Sequence, residues 1–331
     1  MPGHINPVGY GVAALLPPLT LFFEQTNSQA ILVMTKKYHG VIVPLLTPIN
    51  AHGQIDFPSV EKLFDFTLKP GNFPFVLGTT GEMAFVSTAS REKFVKYTAN
   101  HLGSKTTFYA AVSDNSLDNS ITAAKKYVDY GVDALVAHLP YFLPIDPDAM
   151  MSYFEALADN APAPIIIYNI ASITHMSIPV EVIEKLSQHP NIAGLKDSER
   201  DWARIEQLTA LFKDREDFSL FIGWTDKSTE SLAIGFDGII PNTANVAPSL
   251  FQDLYQAAVG GDIERAIALQ TTAGEIGKLV QAGKTMTTTI PELKAITKYL
   301  GVCDQHVLPP LVAKEGPEAE ALINKFLAIK L

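Results

Sequence analysis

From Gly40 onward the chain alternates between two hydrophobic periods. Short apolar or β-branched runs are each followed by a loop and then by a segment whose apolar residues recur every three or four positions, with charges on the other face. The runs fall at 40–46 (GVIVPLL), 75–78 (FVLG), 107–111 (TFYAA), 134–138 (ALVAH), 165–168 (IIIY), 192–196 (IAGLK), 220–222 (LFI) and 238–240 (GII). Apolar strands covered by amphipathic helices are buried on both faces, which is the signature of a parallel sheet. Eight strand–helix units in succession predict an α/β chain folded as a (β/α)8 TIM barrel. The alternative, an open doubly wound sheet, lacks its glycine-rich dinucleotide fingerprint after the first strand. Beyond the eighth unit only helix-period sequence follows, so a C-terminal helical extension is expected. The organisation read this way is an N-terminal extension over 1–37, a barrel carrying the site over 38–259 and a helical region over 260–331.

The first residues do not fit this pattern. The stretch from Gly9 to Phe23 (GYGVAALLPPLTLFF) is apolar, but Pro17-Pro18 breaks any helix through it and no Lys or Arg precedes it. It is too short to span a bilayer, and "MTKKYHG" from Met34 resembles a start of its own. No membrane partner is expected.

Charge and composition narrow the function. A formal net charge of −10 over 331 residues argues against a nucleic-acid surface, which needs clustered Lys and Arg. A single cysteine, Cys303, excludes an internal disulfide framework and fits a reducing cytoplasm. The eight histidines form no ligand-spaced cluster, which agrees with a metal-free chemistry.

One residue breaks the apolar rule. In "NIAGLKDSER" a lysine, Lys196, ends the sixth run. Strand ends of this kind face the mouth of a barrel, where catalytic side chains collect. Partial burial there disfavours the ammonium and lowers the lysine's pKa, making it a candidate amine nucleophile toward a carbonyl. A rim ion pair with Asp197 or Glu199 is the structural alternative. Tyr168 ends the fifth run in "IIIYNIAS" and could lean over the same mouth, where a phenol can both give and take a proton. A buried tyrosine can equally be a core residue with a satisfied hydroxyl. After the second run comes Gly78-Thr79-Thr80-Gly81-Glu82, whose flanking glycines let consecutive amides converge as a carboxylate-binding nest. Each feature alone is weak; the information lies in their placement around one mouth.

At these residues the sequence resembles the dihydrodipicolinate synthase and N-acetylneuraminate lyase family of class I, Schiff-base aldolases. The likeness runs from about Gly40 to the C-terminal helices and includes "PLLTP", "GTTGE", "YN", "GLKD" and "TANVAP", in matching order. The resemblance implies that Lys196 forms an imine with pyruvate or another 2-oxo acid. The carboxylate would then rest on the Thr79 and Thr80 amides and the Thr80 hydroxyl. It also implies that Thr79 hydrogen-bonds Tyr168, which shuttles protons, and that no metal and no other cofactor is needed. The synthases usually carry a second tyrosine in "PYY", lent across a subunit interface; this chain has Pro140-Tyr141-Phe142, and Phe142 cannot pass a proton. Their post-tyrosine loop resembles "YNVPSRTG", whose arginine grips the aldehyde's carboxylate. Here the segment is "YNIASITH", with Ile173 at the arginine position and His175 where a glycine is common. The lyases present hydroxyl and acidic groups to a polyol. The comparable residues are Ser198 beside the lysine, Gly223, Thr225 and Asp226 in "GWTD", and Asn242 in "PNTANV".

The expected activity is a metal-independent carbon–carbon lyase that cleaves or condenses a 4-hydroxy-2-oxo acid, its partners being a pyruvate-like 2-oxo acid and an aldehyde. Alternatives are a dihydrodipicolinate synthase-type condensation, dehydration of a 2-keto-3-deoxy sugar acid, or a non-catalytic ligand-binding or regulatory protein on the same barrel. By the same likeness a homo-oligomer, tetramer or dimer, is expected.

Overall fold

The computed structural model describes residues 36–331, so the N-terminal extension read from the sequence lies outside the described residues apart from its last two. Eight parallel strands close into a barrel in chain order: β1 Gly40–Pro44, β2 Asn72–Val76, β3 Tyr109–Ala111, β4 Ala134–Ala137, β5 Ile165–Asn169, β6 Ile192–Asp197, β7 Ser219–Ile222 and β8 Gly238–Ile239. β8 returns to β1 through Gly40 opposite Gly238 and Val41 opposite Ile239. The helices between strands are α1 Phe57–Thr67, α2 Thr88–Leu102, α3 Leu117–Tyr130, α4 Pro147–Asn160, α5 Ala171–Thr174, α6 Val180–Leu186, α7 Trp202–Phe212 and α8 Ser228–Ile234. Four more close the chain: α9 Pro248–Val259, α10 Ile263–Val280, α11 Met286–Tyr299 and α12 Gly316–Leu327. None of the described helices is long and apolar enough to cross a membrane.

Local sequence sets the helix ends. Ser87, Ser116, Asp146 and Asp201 stand just ahead of α2, α3, α4 and α7, and their side-chain oxygens accept first-turn amides that would otherwise lack partners. Gly131 and Gly235 end α3 and α8 in the left-handed conformation. Inside, the branched residues of β4, β5 and β6 are fully buried, as strands with helices on one side and barrel interior on the other must be.

Most strand ends shift by a residue or more from those read in the sequence, and two departures have a structural reason. The second strand begins at Asn72 and ends at Val76, spanning Pro74, whereas the run was read from Phe75 to Gly78. Leu45, just past the end of β1, donates its amide to the Phe75 carbonyl, which turns Pro74 toward β3; pairing with β3 starts only at Phe75, opposite Tyr109. The missing proline N–H therefore costs no ladder bond. Lys36, assigned to the extension, pairs with Asp237 at 3.0 Å and donates to the carbonyls of Phe212 and Phe218.

Candidate active site

Strand alternation sorts the residues of "YN" and "KD". Successive side chains on a strand point to opposite faces, and β5 and β6 are in register with Tyr168 opposite Lys196 and Asn169 opposite Asp197. One pair turns to the barrel mouth and the other outward. On the outer side Asn169 donates to Asp197 at 3.0 Å and to Glu199 at 2.9 Å, and accepts from the Ile178 amide. Arg204 on α7 binds Asp197 at 2.8 Å and approaches Glu199 at 3.7 Å. Burial pushes the Asp197 carboxyl up from its ordinary pKa, and Arg204, the Glu199 amide and Asn169 pull it back.

On the inner side Lys196 is 4% exposed. Its Nζ lies 3.8 Å from the centre of the Tyr168 ring and 5.2 Å from that of Phe75. Among the described residues no carboxylate pairs with it, because Asp197 and Glu199 are committed to Arg204. The rim ion pair is thus not formed. Desolvation lowers the lysine's pKa, opposed in part by the nearby Tyr168 phenol. Aromatic faces around a buried ammonium attract it, but they do not neutralise it.

The turn after β2 is held rigidly. Gly81 and Glu82 donate back to Gly78 and Thr79, the buried Thr47 hydroxyl of "PLLTP" donates to the Gly81 carbonyl at 2.7 Å, and the amides of Thr79 and Thr80 are not used within the turn. Gly81 is required there: a Cβ would meet the Leu45 carbonyl and the Leu77 amide at 3.0 and 3.1 Å. Glu82, fully buried with a left-handed φ of 57°, forms an ion pair with Lys294 of α11 and accepts the Leu308 amide at 2.8 Å. Lys294 also donates to the His306 carbonyl at 2.7 Å.

Lys196, Tyr168, Thr79 and Thr80 share the wall of one cavity of about 460 Å³, joined by Ser198, Gly223, Asn242 and Ile173. Thr79 and Tyr168 do not hydrogen-bond each other there. Gly223 is packed so closely that a Cβ would stand 2.0 Å from the Ser198 hydroxyl. Other singled-out residues lie off this wall. Gly78 is packed under the turn against the Phe75 ring. Thr225 is buried toward α10, where its carbonyl accepts Gln270 at 3.0 Å, and the exposed Asp226 lies beside Gly277 of the same helix. His175 ends α5 exposed, in the left-handed conformation, and Phe142 is 80% exposed on the loop after β4. Within "GWTD", Gly223 therefore lines the cavity while Thr225 and Asp226 dock a C-terminal helix.

The cavity also recruits residues not singled out from the sequence. Arg200 follows β6, and Gln281, Lys284, Thr285, Met286 and Thr289 come from the junction of α10 and α11. That junction, "QAGKTMTTT", is a glycine and a threonine cluster between two helical runs, a visible loop signal with nothing local to aim it at a barrel mouth. His138, at the end of the fourth apolar run, is buried with ring centres 6.3 Å from Tyr168 and 6.0 Å from Tyr141. Burial lowers its pKa, while a 2.7 Å contact from Nδ1 to the Leu139 carbonyl opposes the shift.

Fold and site define a closed parallel barrel with a buried amine, a phenol and an amide-bearing turn at the mouth formed by its strand ends. The chain belongs to the dihydrodipicolinate synthetase family, whose model matches residues 37–327. It is 29% identical over 298 residues to a 4-hydroxy-tetrahydrodipicolinate synthase of Staphylococcus haemolyticus, covering 90% of this chain and 99% of the relative. Among solved structures, a dihydrodipicolinate synthase of Bacteroides thetaiotaomicron superposes with a TM-score of 0.84 at 27% identity, over 89% of this chain and all of that one. The chloride-inhibited dihydrodipicolinate synthase of Acinetobacter baumannii, solved with pyruvate, gives 0.81 at 25% identity over 88% of this chain and 99% of that one.

Proposed function

We propose that the protein is a class I lyase in which Lys196 forms a Schiff base with the oxo carbon of pyruvate or a close 2-oxo acid. The observation that carries this reading is a buried lysine with no carboxylate partner among the described residues, sharing one cavity with Tyr168 and the Thr79–Thr80 turn. Burial shifts the amine toward its neutral form, and the neutral amine is the nucleophile. Nζ adds to C2 of the 2-oxo acid, and the oxo oxygen leaves as water after two proton transfers, for which Tyr168 is the adjacent donor and acceptor. The free amides of Thr79 and Thr80 suit the substrate carboxylate. The protonated imine then takes up the electron pair released when the C3–C4 bond of a 4-hydroxy-2-oxo acid breaks. The 4-hydroxyl gives up its proton, an aldehyde leaves, the enamine is reprotonated at C3, and water hydrolyses the resulting imine to free the 2-oxo acid and the lysine amine. Condensation is the same path reversed, and no step calls for a metal.

Ile173 on the cavity wall supports an aldehyde other than the one the synthases condense, since an isoleucine offers no charge-assisted hydrogen bond to a carboxylate. We further infer a cytoplasmic homo-oligomer whose barrel, 38–259, borrows part of its cavity from the helical region 260–331. Borohydride reduction in the presence of pyruvate tests the central step by mass spectrometry. The wild type is expected to gain a stable adduct that Lys196→Ala lacks; no adduct with any 2-oxo acid would mean a binding protein instead.

A further inference from the structure

The cavity wall carries three cationic side chains, Lys196, Arg200 and Lys284, and one carboxylate, Glu199. On a chain with a net charge of −10 this is a local reversal of sign, and a concave site focuses such a field on an incoming anion. The charges are not equally free. Glu199 accepts from Asn169 at 2.9 Å and from Ser177 at 2.6 Å, with Arg204 behind it at 3.7 Å. Lys284 is bound by Glu292 and by the Leu279 carbonyl, both at 2.6 Å. Arg200 differs: among the described residues it pairs with no carboxylate, and its one protein hydrogen bond is a long 3.5 Å contact to the neutral Gln281 side chain. Gln281 is itself fixed by donating to Asn242, so the loops after β6 and β8 and the α10–α11 junction meet around this guanidinium.

Two cations without carboxylate partners therefore stand on one cavity wall, Lys196 deep and Arg200 exposed toward the mouth. Four residue steps along the chain separate them, a reach of at most about 14 Å even if fully extended. Resting on the Schiff-base reading of Lys196, we infer that the substrate carries a second carboxylate at the end remote from its 2-oxo group, and that Arg200 receives it. A single unpaired guanidinium, planar and two-pronged, matches one carboxylate. A phosphate dianion would call on Lys284 as well, which Glu292 already neutralises.

The test compares a 4-hydroxy-2-oxo dicarboxylic acid with the counterpart of equal length ending in a primary alcohol, with pyruvate release as the readout. Loss of a charge-assisted contact is expected to favour the diacid by about 10- to 100-fold in kcat/KM. Arg200→Gln should raise KM for the diacid by a similar factor, leave its kcat within about twofold, and leave the alcohol unaffected. Preference of the wild type for the alcohol, or equal effects of Arg200→Gln on both substrates, would overturn the inference. Borohydride trapping with pyruvate is expected to be unchanged in Arg200→Gln, which separates failure of this site from failure of the imine step. Calorimetry with 2-hydroxyglutarate, which has no oxo group to form an imine, reads the anion site even without turnover. Binding to the wild type that Arg200→Gln weakens supports the site, and equal or absent binding in both proteins sinks it.

Discussion

At the scale of single residues, Lys196 is kept where the fold would be better off without it. An ammonium taken out of water with two aromatic rings for neighbours and no counter-ion costs stability, and the direction of its pKa records that cost. The sign follows from linkage. Lowering the folded-state pKa of a lysine means that the unfolded chain binds more protons between the folded and the ordinary value. The penalty is full below the folded value and fades as pH rises through the ordinary one. Lys196→Met is therefore expected to raise the melting temperature at neutral pH while abolishing the pyruvate adduct, with the gain shrinking toward alkaline pH. A lower melting temperature at pH 7 would show that the ammonium is better compensated than its surroundings indicate. This is the conflict between activity and stability that catalytic groups commonly create.

At the scale of elements, the barrel and the C-terminal helices meet through charge as well as through apolar packing. Glu82 is fully buried in the turn beside Thr80, and its counter-charge comes from Lys294, more than two hundred residues away in the chain. Replacing Lys294 by Met leaves a buried carboxylate unpaired and should cost about 3–5 kcal/mol in denaturant unfolding. The double substitution Glu82→Gln with Lys294→Met should recover much of that loss. If Lys294→Met alone is neutral, the pair is not what holds the turn. The Asp197–Arg204 pair does similar work beneath Lys196, so that inward lysine and outward aspartate are fixed by a single strand.

At the scale of the whole molecule, the barrel was legible because its signal is periodic and repeated, and one imperfect run such as that around Pro74 does not disturb the count of eight strands. The inward group was legible for a related reason: a lysine ending an apolar strand is a local contradiction that function resolves. Asp226 and Thr225 were assigned to the cavity by likeness to the hydroxyl and acidic groups that the lyases present to a polyol, yet here both face α10. Arg200, Gln281 and Lys284 escaped notice because two distant segments, the loop after β6 and the α10–α11 junction, bring them together, and no spacing along the chain encodes such a meeting. The loop after β4 presents Tyr141, Phe142 and Leu143 at 38%, 80% and 64% exposure, an apolar tip of the kind that association usually covers. Sedimentation is expected to show a dimer or tetramer, and Phe142→Asp to shift it toward smaller species. A monomeric wild type would remove the oligomer from the account.

The bond between Glu82 and Lys294 also has a consequence in time. On the ribosome the strands emerge first, and a nascent chain halted between the last strand and residue 294 carries every strand but lacks Lys294, the partner of Glu82 in the turn proposed to receive substrate. Competence to bind should therefore arrive late and abruptly, after nearly all of the polypeptide has been made, so that unfinished chains remain chemically silent.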